Sequence, residues 1–108
     1  MAWLLRQGEV LASLEVGLPG RWRRRVLRRE QGVGALLVTA RRSTHTFGAR
    51  SALDIAYLDV DLIVVSTCRM PPNRVGLPRR RAYAILQAEA GAFDRWRLRP
   101  GDKLEIEE

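Results

Sequence analysis

Short apolar segments that recur about every ten residues are the main pattern of this chain. In Val10–Val16, apolar residues occupy every second position, which is the period of a strand with one buried face. Gly8 separates this segment from a shorter apolar one, Trp3–Arg6. Because glycine favours tight turns, the two segments predict an N-terminal β-hairpin.

Five further segments predict strands on the same grounds. They are Val33–Thr39, Leu53–Leu58, Leu62–Thr67, Ala82–Ala88 and Lys103–Glu107. The acidic stretch Asp59–Asp61, between the second and third of these, predicts a hairpin turn. Proline and glycine residues predict a loop at Met70–Pro78 and a tight turn at Arg99–Asp102.

Two segments predict helices. Arg21–Glu30 places Trp22 and Val26 four positions apart among arginines, which predicts a short amphipathic helix with a basic surface. Ala92–Arg97 predicts one helical turn. Together the elements predict one domain over residues 1–108, of the α+β class. We expect it to be β-rich and mostly antiparallel, a small barrel or rolled sheet with one or two short helices.

The composition excludes several classes of protein. Hydrophobic residues make up 46% of the 108 residues, which is ordinary for a globular domain and excludes wholesale disorder. Apolar runs such as Ala35–Val38 are far shorter than the ~20 residues of a membrane-spanning helix. The single cysteine, Cys68, excludes a disulfide scaffold. The first residues lack the pattern of a signal peptide, so we expect a cytoplasmic protein without a membrane partner.

The net charge of +7 suggests an anionic partner. Residues 1–54 carry ten basic and four acidic groups, whereas residues 55–108 carry nine and eight. The densest basic segment is the predicted helix, whose arginines are Arg21, Arg23, Arg24, Arg25, Arg28 and Arg29. These side chains could contact nucleic-acid phosphates without sequence preference, and Arg79–Arg81 beside Tyr83 form a second such candidate. The alternative is a solvated helix face whose arginines reflect a GC-rich genome.

The order of motifs resembles a known family. His45-Thr46-Phe47-Gly48 precedes the segment Leu53-Asp54-Ile55-Ala56-Tyr57-Leu58-Asp59, and Leu98-Arg99-Pro100-Gly101-Asp102 follows near the end. This order resembles the domain of unknown function 192 family, small bacterial and archaeal domains, in its subgroup with a His-Thr-Phe-Gly segment. The resemblance implies a small β-rich α+β fold and no assigned activity. The chain has Ala49, Ser51, Ala52 and Gln87 where the family usually has methionine, a bulky residue, proline and glutamate.

His45 and Asp54 are the polar pair from which a catalytic site could be built. An aspartate that orients an imidazole, with Ser43 or Ser51 nearby, would make a hydrolase conceivable. The competing interpretation is structural, with Asp54 accepting backbone N–H bonds and His45 as its partner. Cys68 follows an apolar strand, so we expect a core residue rather than a nucleophile.

The best candidate for a binding site is the segment around His45. Arg41, Arg42 and Arg50 flank this histidine and, with Asp54, would suit a small anionic ligand or an acidic protein. The sequence has neither a phosphate-binding glycine loop nor metal-ligand spacing, so we expect no cofactor and no metal. A non-enzymatic binding module is therefore the first hypothesis. Nucleic-acid binding through Arg21–Arg29 is the alternative, and a hydrolase using His45 and Asp54 comes third.

Overall fold

The computed structural model describes residues 2–17 and 34–108, so the predicted helix at Arg21–Glu30 lies outside the described residues. The described chain forms seven strands and one short helix. The strands are β1 (Ala2–Arg6), β2 (Glu9–Gly17), β3 (Ala35–Thr39), β4 (Leu53–Leu58), β5 (Val64–Met70), β6 (Ala84–Glu89) and β7 (Glu105–Glu107). Helix α1 (Ala92–Trp96) lies between β6 and β7.

All seven strands belong to one sheet, in the order β5-β4-β6-β3-β2-β1-β7. The pairings are antiparallel except that of β2 with β3, which run parallel. The predicted N-terminal hairpin is confirmed, with Gln7 and Gly8 both at positive φ in its two-residue turn. The hairpin of β4 and β5 is also confirmed, because Asp59 Oδ1 accepts the N–H groups of Asp61 and Ile63.

The prediction of a closed barrel is wrong. Between the two edges of the sheet, the start of β5 contacts only the residues that precede β7: Ile63 forms an isolated bridge with Lys103, and Val64 exchanges backbone hydrogen bonds with Gly101 and Asp102. Strand β7 has three residues and pairs with β1, so no continuous ladder joins the two edges. The architecture is therefore an open, strand-rich and mostly antiparallel sheet with a short helix.

The three central strands are covered on both faces, because almost every residue of β4, β6 and β3 is buried. Side chains alternate between the faces along each strand. One face carries Leu37, Ala56 and Leu86 and packs against Phe93 of α1. The opposite face carries Leu36, Ile55, Tyr57 and Ile85 and packs against Ala49 and Ala82 of the connecting loops. Side chains that could form a functional site therefore lie on opposite faces of the sheet.

Candidate functional site

Two long loops lie side by side over the second face of the sheet. The first is residues 40–52, between β3 and β4, and the second is residues 71–83, between β5 and β6. Three backbone hydrogen bonds of 2.8 Å join them, from the N–H groups of Arg41, Arg79 and Gly76 to the carbonyls of Tyr83, Arg42 and Thr44. We call the surface formed by residues 40–52 and 71–83 the paired-loop face.

Thr46 fixes the centre of the paired-loop face. Its side chain is fully buried, and its hydroxyl donates to the carbonyl of Pro71 at 2.6 Å and accepts the N–H of Arg74 at 2.9 Å. Its own N–H donates to the Arg74 carbonyl, while its carbonyl accepts the N–H of Asn73. A buried hydroxyl and peptide group that are satisfied in this way hold the two loops in one register.

His45 and Phe47 flank this threonine and form a stacked pair on the outside. Their ring centroids lie 5.1 Å apart with an interplanar angle of 27°. The Nδ1 atom of His45 accepts the backbone N–H of Phe47 at 3.2 Å. His45 is also paired with Val75 of the second loop in an antiparallel bridge. Phe47 is 51% exposed, so the stack presents an aromatic ring to solvent.

Tyr57 of β4 lies beneath the paired loops. Arg79 of the second loop places its guanidinium carbon 5.3 Å from the centroid of the Tyr57 ring, a cation–π contact. Burial raises the pKa of the Tyr57 hydroxyl above 10.0, more than the nearby Arg79 lowers it. Gln87 of β6 lies on the same face of the sheet and donates from Nε2 to the Thr44 hydroxyl at 2.9 Å. The contacts of Tyr57 and Gln87 therefore connect the paired loops to the sheet below them.

Asp54 lies on the other face of the sheet. Its side chain is almost fully buried; Oδ2 accepts the N–H groups of Gly91 and Phe93 at 2.9 and 3.1 Å. Its Oδ1 accepts Nε of Arg69 at 2.9 Å. The carboxylate thus caps the start of α1. The structural interpretation correctly expected Asp54 to accept backbone N–H bonds, but it placed them in the loop before β4. The charged partner of Asp54 is Arg69 rather than His45.

The structure therefore does not bring His45 and Asp54 together. Asp54 shares its face with Ala56 and Leu58 and contacts α1 and its N-cap Gly91. The loop that holds His45 covers the face that carries Ile55 and Tyr57. Because the sheet separates the two groups, they cannot work as a base and its orienting carboxylate.

Cys68 of β5 is half-buried on the same side as Tyr57, and burial raises its thiol pKa above 9.0. Asp54 raises this pKa further, whereas Arg79 lowers it. At neutral pH the thiol is therefore protonated, and the thiolate that a nucleophile requires is scarce.

We expect iodoacetamide to alkylate Cys68 more slowly in the folded protein than in the urea-unfolded protein. The pH at which the alkylation rate is half-maximal should lie above 9.0 in the folded state, because a raised pKa delays thiolate formation. Mass spectrometry of samples quenched over a pH series measures both quantities. The pH midpoint separates the effect of the pKa from that of restricted access, which would slow alkylation equally at every pH. A midpoint below that of the unfolded protein would show an activated thiol.

Among the described residues, the paired-loop face concentrates the positive charge. Residues 40–52 and 71–83 contain seven arginines and no acidic residue: Arg41, Arg42, Arg50, Arg74, Arg79, Arg80 and Arg81. Nineteen basic residues less these seven leave twelve, which equals the twelve acidic residues of the rest of the chain. Outside the two loops, the described residues include six basic and eleven acidic ones, and the six arginines between Arg21 and Arg29 lie outside the described residues.

The loop pairing gathers four of the five binding residues that the sequence predicts. Arg41, Arg42, His45 and Arg50 belong to the first loop, whereas Asp54 lies across the sheet. Ala49, where the family usually has methionine, packs against the sheet, and Ser51 is exposed. The nucleic-acid candidates between Arg21 and Arg29 lie outside the described residues.

Sequence reasoning missed the contribution of the second loop to this same surface. Arg74 was not singled out, and Arg79–Arg81 were assigned to a separate nucleic-acid candidate. The available signal was the absence of acidic residues from both loops, which is readable from the sequence. Their adjacency became visible only with the hydrogen bonds between the loops.

Two kinds of feature are absent from residues 2–17 and 34–108. No helix in this part of the chain is long and apolar enough to cross a membrane. In the same residues, no group of three or more His, Cys, Asp or Glu side chains is placed to hold a metal ion.

Comparisons with known proteins agree with this fold. The family model DUF192, described as Uncharacterized ACR, COG1430, matches residues 1–106. A comparison with curated proteins finds no match. A protein of unknown function from Novosphingobium aromaticivorans has a similar structure, with a TM-score of 0.70 and 18% identity over 96% of this chain and 82% of the other. A protein from Sinorhizobium meliloti, described as "a putative transcription regulator", has a TM-score of 0.70 and 17% identity over 97% and 91%. At such identities the likeness concerns the fold alone.

Proposed function

The chain belongs to the DUF192 family of uncharacterized proteins, and from this premise we propose that it is a non-enzymatic binding module whose paired-loop face binds an anionic partner. The observation that carries the proposal is the charge of that face. Seven arginines and no acidic residue lie on the two loops, whereas the other described residues include six basic and eleven acidic ones. Fold membership by itself names no ligand, so the proposal rests on the site.

The chemistry of arginine supports an anionic partner. A guanidinium group offers five N–H donors in a planar fork that fits carboxylate or phosphate oxygens. Arg42, Arg74, Arg80 and Arg81 are exposed. Several like charges on one face raise the local concentration of anions and accelerate their arrival.

The scaffold of the loops supports binding as well. Backbone hydrogen bonds join the loops at several points, and Thr46 is buried between them with its hydroxyl satisfied. A surface that is already ordered before it binds loses less conformational entropy on binding. The arginines are thus displayed on a framework with a defined register.

The contacts of the polar groups favour binding over catalysis. Asp54 is occupied by Arg69 and by two backbone N–H groups, and it lies across the sheet from His45. Cys68 has a raised pKa, which disfavours its thiolate at neutral pH. Neither group has the environment of an activated nucleophile or general base.

Titration calorimetry with inorganic pyrophosphate and a short polyglutamate peptide, at low and near-physiological salt, tests the proposal. We expect the triple variant Arg42→Gln/Arg80→Gln/Arg81→Gln to lose affinity about tenfold or more for the probe that binds best, because it removes three charges from one face. The affinity of the wild-type protein should fall as salt rises.

The control variant is Arg95→Gln/Arg99→Gln/Lys103→Gln, which removes the same charge from exposed positions outside the paired loops. It should bind the probe within about twofold of the wild-type protein. An equal loss in both variants would show a response to net charge alone. That result, or absence of binding to either probe at low salt, would overturn the proposal.

A further inference from the structure

Exposed apolar side chains are concentrated on the same two loops. Among the described residues, seven large hydrophobic side chains are exposed, and four of them belong to the paired-loop face. They are Phe47 at 51%, Val75 at 65%, Leu77 at 78% and Tyr83 at 44%. The two loops make up 26 of the 91 described residues, so this share is well above proportion. Clustered exposed apolar groups mark interaction surfaces, whereas scattered ones carry no such meaning.

Phe47, His45 and Val75 form one continuous patch. The N–H of Thr46 donates to Arg74, and the N–H of Gly76 donates to Thr44, so these bonds flank the bridge of His45 with Val75. In such a pair the residues face each other without bonds between them, and their side chains come close together. Phe47 stacks on the imidazole of His45. We call Phe47, His45, Val75 and Leu77, which follows Val75 by two positions and is also exposed, the apolar patch.

The local structure shows that the exposure of Phe47 is not required by packing. Thr46 before it is fully buried, and Ala49 after it packs against the sheet, so these two residues anchor the loop and its packing does not need the Phe47 ring. The ring is nevertheless held in a defined place by the bond from the Phe47 N–H to His45 and by the stack. An oriented aromatic ring at the surface has the properties of an interface anchor.

From this combination we infer that the anionic partner is an acidic protein segment that also carries a large apolar side chain. The inference rests on the proposed function and deepens it. The segment would place its carboxylates on the arginines and its apolar side chain on the apolar patch. Arginine and aromatic residues are the side chains enriched in protein interfaces.

Nucleic acid fits this surface less well. A phosphate backbone would use the arginines, and a base could stack on Phe47. Val75 and Leu77, however, expose aliphatic surface, for which a charged phosphate is a poor partner. An acidic segment with an apolar side chain uses both kinds of group, so it accounts for more of the exposed surface.

A peptide array provides the test. Every peptide carries the same number of carboxylates, and the remaining positions hold Phe, Leu or Ser. We expect the wild-type protein to bind the Phe- and Leu-containing peptides about tenfold more tightly than the Ser-only peptides. Phe47→Ser/Leu77→Ser should abolish this preference and leave the affinity for Ser-only peptides unchanged. Val60→Ser is the matched control, because Val60 is 72% exposed at the β4–β5 turn outside the loops.

Two further measurements separate the outcomes. A single-stranded oligonucleotide of equal charge should bind more weakly than the best peptide, and tighter binding of the oligonucleotide would overturn this inference. Binding that depends on the arginines without any preference for apolar peptides would overturn this inference and leave the proposed function standing. Absence of arginine-dependent binding to any probe would overturn both. Patch-dependent self-association of the protein in sedimentation would show that a second copy is the occupant, and would also overturn the inference.

Discussion

Asp54→Ala is expected to lower the free energy of unfolding by about 3 kcal/mol, and the melting temperature by roughly 10–20 °C. The carboxylate is almost fully buried and accepts the N–H groups of Gly91 and Phe93. Alanine would leave both donors without an acceptor, at about 1–3 kcal/mol for each group that stays buried. It would also remove the nearer of the two carboxylate partners of Arg69, whose side chain is 51% exposed and can turn to water or to Asp94 at little cost.

Urea unfolding followed by circular dichroism measures the loss. Asp54→Asn should fall between the wild-type protein and Asp54→Ala, because it keeps an acceptor oxygen but not the charge. Asp61→Ala is the control, an exposed carboxylate in the β4–β5 turn, and should stay within about 0.5 kcal/mol of the wild-type protein. If Asp54→Ala cost no more than Asp61→Ala, the structural role of Asp54 would be refuted and a functional role for its carboxylate would have to be reconsidered.

Gly76→Ala is expected to cost about 2 kcal/mol, because the added methyl group meets the side chain beneath the loop. A Cβ at this position would lie 2.7 Å from the hydroxyl oxygen of Tyr57 and 3.4 Å from the carbonyl oxygen of Thr44. Tyr57 is buried in the sheet and lies against Arg79, so its hydroxyl cannot retreat without disturbing both. The second loop would therefore be displaced from the first.

A double-mutant cycle with Tyr57→Phe tests this cause. Removal of the hydroxyl relieves the closest contact, so Gly76→Ala should cost about 1 kcal/mol less in the Tyr57→Phe background. Val75→Ala serves as the control from the same loop, and its exposed side chain should make the change nearly neutral. An identical cost of Gly76→Ala in both backgrounds would show that Tyr57 is not the source of the strain.

The pattern of apolar and polar residues predicts an element correctly where that element depends only on its own residues. The predicted strand Leu53–Leu58 has the observed bounds because it is a short, mostly apolar run that ends at Asp59. The following strand was placed too early, at Leu62–Thr67 rather than Val64–Met70. The reason is that Asp59 accepts two backbone N–H groups and Leu62 adopts a positive φ, so the turn continues past the acidic stretch.

Long-range pairing accounts for the remaining errors. The parallel neighbours β2 and β3, and the failure of β5 and β7 to join in a continuous ladder, depend on contacts between distant segments. The same limit applies to the site. The chemistry of the first loop was predicted, because Arg41, Arg42 and His45 are close in sequence. The contribution of the second loop to the paired-loop face was missed, because only folding places Arg74 beside Thr46.

The pairing of β1 with β7 also determines where the domain can be tethered. Trp3 and Glu107 are direct cross-strand partners, so the first and last described strands bring the two ends of the sequence side by side. The paired loops are attached to β3, β4, β5 and β6, which form the other part of the sheet. The strands β1, β2 and β7 do not carry the paired-loop face. The domain can therefore be linked to another protein through one end or, as an inserted domain, through both, without covering that face.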